Sequence, residues 1–257
     1  MKLLKWVLAV LLVLLVAAAA LFWFLPASWV VGAVESRMHG MRVEGVSGTL
    51  WNGHAERVVT ADGELLGMLD WTLNRGAPLG RRHVTGRFQG PLGHVAWQFD
   101  HARSDSSDWR DIDFRWDARV FASHPALRAF DPRGTLEGRI PEASLQGNWP
   151  VTMHGEATWR DASLQMPEGR VPLGNLHVGV TSNDGVLHAK LDEDGSGPLD
   201  IRGTLDAMPL GWRLDIRMQP RTVDTALSHL LARFGPPSAD GSTIIHRQAG
   251  LAPAEMP

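Results

Sequence analysis

The sequence predicts a mainly β protein: a single N-terminal transmembrane helix, then a curved antiparallel β-sheet domain with a short C-terminal helix. Three observations carry this. Every residue from Trp6 to Leu25 is apolar. From Met41 onward the dominant hydrophobic period is two, the period of a strand with one buried face. After Thr222 the period changes to that of one short amphipathic helix. The segments that follow are 1–26 for a cytoplasmic tip and membrane helix, 27–40 for a short juxtamembrane helix, 41–250 for the β domain and 251–257 for a disordered tail.

The apolar run of about 20 residues, at 1.5 Å per residue, matches a hydrocarbon core about 30 Å thick. A cleaved signal peptide ending at Ala18-x-Ala20 is the competing reading. Signal peptide cores are only about 7–15 residues long, however, and this run continues through Leu21 to Leu25. An uncleaved anchor fits better, with Trp6 and Trp23 at the two interfaces and Lys2 and Lys5 holding the N-terminus in the cytoplasm. The expected location is the inner membrane, single-pass, with the bulk of the chain in the periplasm.

Ser28 is placed to cap the juxtamembrane helix, with Trp29, Val30, Ala33, Val34 and Met38 on one stripe and Gly40 as its stop. The strand pattern then begins. Val95, Trp97 and Phe99 alternate with polar neighbours, as do Ile112, Phe114 and Trp116, then Leu199, Ile201 and Leu205, then Trp212, Leu214, Ile216 and Met218. Such regular polar-out alternation, without helices long enough for crossovers, predicts antiparallel pairing. Gly- and Pro-rich stretches such as Arg75–Gly80 and Asp192–Pro198 read as turns. Ser104 to Asp108 reads as a mobile loop and Ser123 to Pro132 as a short helical turn. Thr222 reads as the N-cap of the late helix, whose apolar face is Val223, Ala226, Leu227, Leu230, Leu231 and Phe234. Gly235-Pro236-Pro237 stops it, and a last strand covers about Ser242 to Arg247.

Composition narrows the function. The formal net charge is −3, and Lys occurs only at positions 2, 5 and 190, which leaves no footprint for nucleic acid. Zero cysteines exclude disulfides, thiolate nucleophiles and Cys-ligated metals. The eleven histidines lack the i, i+4 spacing of a metalloprotease helix. Gly45-Val46-Ser47-Gly48 is one residue short of a nucleophile elbow. Asp192-Glu193-Asp194-Gly195 lacks the distant Glu of a calcium loop and reads as an acidic turn. No catalytic, cofactor-binding or metal-binding residue is therefore expected, and no cofactor. What the chain has in excess is tryptophan, which suits both sheet cores and interfaces. The candidate interaction surface is Trp51, Asn52 and Gly53, where Asn-Gly suggests a turn that presents the indole.

The stretch Gly45–Ala55, G-V-S-G-T-L-W-N-G-H-A, is partly repeated: Gly48-Thr49-Leu50 returns as Gly134-Thr135-Leu136 and Gly203-Thr204-Leu205. Each copy reads as the start of a strand. Gly45–Ala55 as a whole resembles the segment near the start of the periplasmic domain of the type II secretion system protein N family. Ala157-Thr158-Trp159-Arg160-Asp161-Ala162, Gly197 to Gly203, and Phe234-Gly235-Pro236-Pro237 followed by Asp240-Gly241 are similar to that family in the same order. Ile244, Ile245 and His246 depart from the aromatic-rich last strand the family leads one to expect. The resemblance implies a non-enzymatic inner-membrane component of the machine that exports folded proteins across the outer membrane. Other secretion components, and the bilayer through residues 6–25, would be its partners. An alternative, an inner-membrane-anchored β-groove for lipid transfer, requires the same alternation, so the sequence leaves both open.

Overall fold

The computed structural model describes residues 23–35, 40–76, 82–103, 105–123, 130–167, 169–222 and 224–250. The apolar run at 6–25, apart from its last three residues, lies outside them, as does the tail 251–257. Among the described residues no helix is long and apolar enough to cross a membrane, a finding that concerns helices alone. The chain falls into two compact units, residues 1–91 and 92–257.

In the first unit, helix α1 (Ser28–Glu35) precedes four strands, β1 (Arg42–Gly48), β2 (Asn52–Val59), β3 (Leu65–Leu73) and β4 (Arg82–Gly90). Each pairs antiparallel with the next. Ser28, expected as the N-cap, is instead the first helical residue, because the backbone sets the start. Pro26 bridges Thr49, and the Trp29 N–H donates to the Pro26 carbonyl at 3.3 Å. Trp29, expected on the packed stripe, is exposed.

The second unit is a nine-strand antiparallel meander: β5 (Gly93–Arg103), β6 (Ser106–Asp117), β7 (Pro132–Gln146), β8 (Trp149–Met166), β9 (Gly169–Asn183), β10 (Val186–Glu193), β11 (Leu199–Met208), β12 (Gly211–Pro220) and β13 (Thr243–Gly250). Each of these strands pairs with its chain neighbour. Directly opposed residues share a face, so the register lines side chains into rows across the sheet. One row runs Val95, Phe114, Gly138, Ala157, Val178, Leu191, Gly203, Ile216, Ile245. One residue away on every strand lies His94, Arg115, Glu137, Thr158, His177, Asp192, Arg202, Arg217, Ile244. The period-two pattern thus becomes one apolar and one charged face. Register shifts interrupt the longest ladders, as between Trp159 and Ala162, where Asp161 adopts φ 51°. Such bulges add local twist and bend to an 18-residue strand like β8.

A 3-10 helix covers Ala118–Ser123, and residues 124–129 of the expected helical turn lie outside the described set. Ser106–Asp108, expected within a mobile loop, begins β6 instead, paired with Ser144–Gln146. Helix α2 (Thr225–Ala232) starts two residues later than expected. Asp224, not Thr222, is its N-cap, since Asp224 stands in extended conformation and its carboxylate accepts from the Leu227 N–H at 2.8 Å. An anion there also suits the positive end of the helix. The expected stripe does face inward: Leu227, Leu230 and Leu231 are buried, with Ala226 and Phe234 packed beside them. They cover Val171, Leu173, Leu176, Leu199, Ile201 and Met218, which form the core at one end of the apolar face.

Candidate functional site

The stretch Gly45–Ala55 builds a tight turn. Gly48 ends β1 at φ +82°, in the left-handed region, and a Cβ there would lie 2.5 Å from the Asn52 carbonyl oxygen. The Thr49 N–H donates to the Asn52 carbonyl at 2.9 Å, and the Asn52 N–H donates back to the Thr49 carbonyl and Oγ1 at 3.2 and 3.1 Å. The loop is then tied to β3: Trp71 Nε1–H donates to the Leu50 carbonyl at 3.1 Å, and the Leu73 N–H to that of Trp51 at 2.8 Å. Gly53 lies under the Trp71 ring, where a Cβ would come within 2.2 Å.

This corrects two expectations. The first Gly-Thr-Leu copy leaves a strand instead of starting one, while the copies at Gly134 and Gly203 lie inside β7 and β11. Trp51 is only 3% exposed and Gly53 is buried, so Asn52 alone of the three expected surface residues is exposed. The turn runs Thr49–Asn52, ahead of Gly53, and the pinning of the loop from β3 turns the Trp51 indole inward.

The apolar face of the second unit holds what residue motifs missed. Beyond the reach of α2 the inward side chains are half-buried: Phe114, Val180, Leu187, Leu205 and Leu214, with Trp212 at 38% exposure. A cavity of about 440 Å3 opens beside the covered end, lined among others by Phe121, Phe130, Leu136, Trp159, Leu173 and Phe234. Phe130 stacks on Phe234 with centroids 6.1 Å apart. No motif signals this cavity, because its walls come from strands and turns far apart in the chain.

The charged face is laced by cross-strand pairs. Asp206 lies 2.6 Å from His188 Nδ1, Thr158 Oγ1 is 3.0 Å from His177 Nδ1, and Arg160 contacts Glu137. The acidic turn after β10 is a self-contained knot. The Glu193 carboxylate accepts from the Gly195 and Gly197 N–H groups at 2.9 and 2.7 Å and from Arg221 Nη1 at 2.6 Å. Asp194 accepts from the Ser196 N–H and Asn175 Nδ2, both at 2.9 Å. Hydrogen bonds from Ser196 and then Asn175 hold the Asp194 carboxyl well below the usual carboxylate range. These oxygens are engaged by protein donors, and among the described residues no group of three or more His, Asp or Glu is arranged to hold a metal ion.

The segments that resembled the secretion family serve the scaffold. Gly197 leaves no room for a Cβ against the Leu173 carbonyl, and Asp240 accepts from the Ser242 N–H and Oγ at 3.0 and 2.7 Å. Fold and site define an antiparallel β protein with one apolar and one charged face in its larger unit. The model of the family described as type II secretion system (T2SS), protein N matches residues 39–246, and the chain belongs to that family. It is 29% identical over 198 residues to the type II secretion system protein N of Aeromonas hydrophila, covering 72% of this chain and 74% of the relative. It is also 29% identical over 222 residues to the protein of that name from Klebsiella pneumoniae, covering 85% and 86%. No solved structure matches.

Proposed function

We propose that the protein is a non-enzymatic component of the type II secretion machine, held in the inner membrane by residues 6–25 with the β units in the periplasm. The observation that carries the secretion role is the family match over 39–246, which takes in strands of both units. Its partners are other components of the machine, and its work is to dock them. The test is a chromosomal deletion combined with protease treatment of spheroplasts. Secretion of folded exoproteins should fall and the β units should be digested from outside. Unchanged secretion, or full protection from protease, would count against the reading.

A second reading is favoured by the half-exposed reach of the apolar face and the cavity of about 440 Å3, which suit an apolar ligand such as an acyl chain. Lipid extraction of the purified protein separates the two. Assembly work requires no bound phospholipid, whereas a lipid carrier would yield it in near-stoichiometric amount.

A further inference from the structure

The edge strands of the two units are finished differently. The outer edge of β1 is capped from within its own unit. Glu35 Oε1 accepts from the Val43 N–H at 2.8 Å, the Ala27 N–H donates to the Gly48 carbonyl at 3.2 Å, and the Leu50 N–H donates to that of Leu25 at 2.8 Å. Among the described residues β13 receives no such cover. It pairs with β12 over eight residues without a register shift, and no other described strand lies beyond it. Its sequence, Thr243–Gly250, holds no proline. A straight edge of this length presents unpaired N–H and C=O groups, a template for another strand.

Side chains along the edge state what such a strand must carry. Ile244 ends the charged row and is 54% exposed, while Ile245 ends the apolar row. Arg247 stands opposite Leu214, on the apolar side, and is exposed. Basic residues elsewhere on these last strands and the turn after β12 have acidic partners: Arg217 has Asp240, His246 has Asp215, Arg202 has Asp200 and Arg221 has Glu193. Arg247 has no ion-pair partner among the described residues. Pairing with β13 of a second copy could not supply one, because the strand contains His246 and Arg247 and no acidic residue. Antiparallel self-pairing that kept the faces aligned would set Arg247 against Thr243, Ile245, Arg247 or Ala249 of the other copy.

We propose that β13 is a strand-addition site for an extended segment of another polypeptide, with a carboxylate facing Arg247 and apolar residues facing Ile244 and Ile245. Main-chain hydrogen bonds supply affinity, and the three side chains supply register and selectivity. The proposal rests on the assembly reading above and deepens it by naming the kind of segment a partner would offer.

The test uses the full chain purified in detergent and two synthetic peptides, Thr-Glu-Thr-Val-Val-Thr and the same peptide with Lys in place of Glu, both capped. Read antiparallel to β13, they set the charged residue against Arg247 and the valines against Ile245 and Ile244. The Glu peptide should slow amide hydrogen exchange across 243–250 and bind about tenfold more tightly than the Lys peptide, the size of one charge-assisted contact. Arg247→Glu should invert this preference, and Arg247→Gln should abolish it while binding persists. Because Arg247 is exposed, both variants should fold, as urea midpoints will show. Unchanged exchange in β13 with both peptides would overturn the proposal, leaving Arg247 as a guard against edge pairing. Equal affinities in all three proteins, slowing confined to other strands, or concentration-dependent protection of β13 without peptide would overturn it too. No secretion component is present in this measurement, so its failure is distinguishable from failure of the secretion assay.

Discussion

Two ends of one apolar face lie in the second unit, written in the same alternating pattern and left in different surroundings. Under α2, Leu199 is wholly buried and Val171, Ile201 and Met218 nearly so. Farther along the same strands, Leu205 and Leu214 are half-buried and Trp212 is exposed. Leu199 and Leu205 both belong to β11, six residues apart on one face. The difference teaches that alternation decides which face a residue joins, while the cover laid over that face decides what its burial contributes.

The strongest way to break this comparison is a charge. Ile201→Asp should cost about 3–5 kcal/mol or more, because the carboxylate would be buried without a partner, and should leave the unit largely unfolded. Leu214→Asp should cost about 1–2 kcal/mol, within the range for a half-solvated site. Phe114, Trp116 and Ile216, all half-buried, should fall between them. Urea midpoints decide it, and equal losses at 201 and 214 would mean that the two ends are covered alike.

Removing the cover should act on one end only. Leu230→Ala should destabilise by about 2–5 kcal/mol through the cavity it leaves, with hydrogen exchange accelerated in residues 171–176 and 199–201 and unchanged in 212–216. Loosening the cover should do the same more weakly: Asp224→Ala removes the N-cap of α2 and should cost about 1 kcal/mol. A variant with unaltered stability would mean that the Asp224 bond to Leu227 contributes nothing net.

The smallest effect is one of pH. Asp194 anchors the turn that leads into Leu199, and its carboxyl is depressed from an ordinary value of 3.8. A depressed carboxyl stabilises fully above its unfolded value, and the contribution is lost as pH falls through the folded value. The melting temperature should therefore be insensitive to this group near neutrality and should decline below about pH 4. In Asp194→Asn that part of the decline should be absent. A variant with the same acid profile as the natural chain would remove Asp194 from the account.

Much of this was legible. The strands around Val95–Phe99, Ile112–Trp116, Leu199–Leu205 and Trp212–Met218 followed from period two, and the inward stripe of α2 from Leu227, Leu230 and Leu231. Ser106–Asp108 was not legible as strand, because polar residues that pair with Ser144–Gln146 have the composition of a loop. Thr222 and Asp224 are both good caps, and only the backbone conformation chooses between them. For Trp51, the turn runs Thr49–Asn52 while Asn52 and Gly53 already belong to β2, and the bonds from Trp71 and Leu73 that fix the loop come about twenty residues later. Which half of the apolar face α2 would cover was likewise hidden, since both halves of β11 and β12 alternate alike.

The meander has a consequence in time. Every strand from β6 to β12 has as its neighbours only the strands made just before and just after it. Each strand then closes on the one just made, across a turn in most cases and across α2 before β13, and no pairing waits for a distant strand. As the chain is delivered from its N-terminus, each completed strand is the growing edge on which the next one registers. The sheet can lengthen like a zipper whose last tooth, among the described strands, is β13.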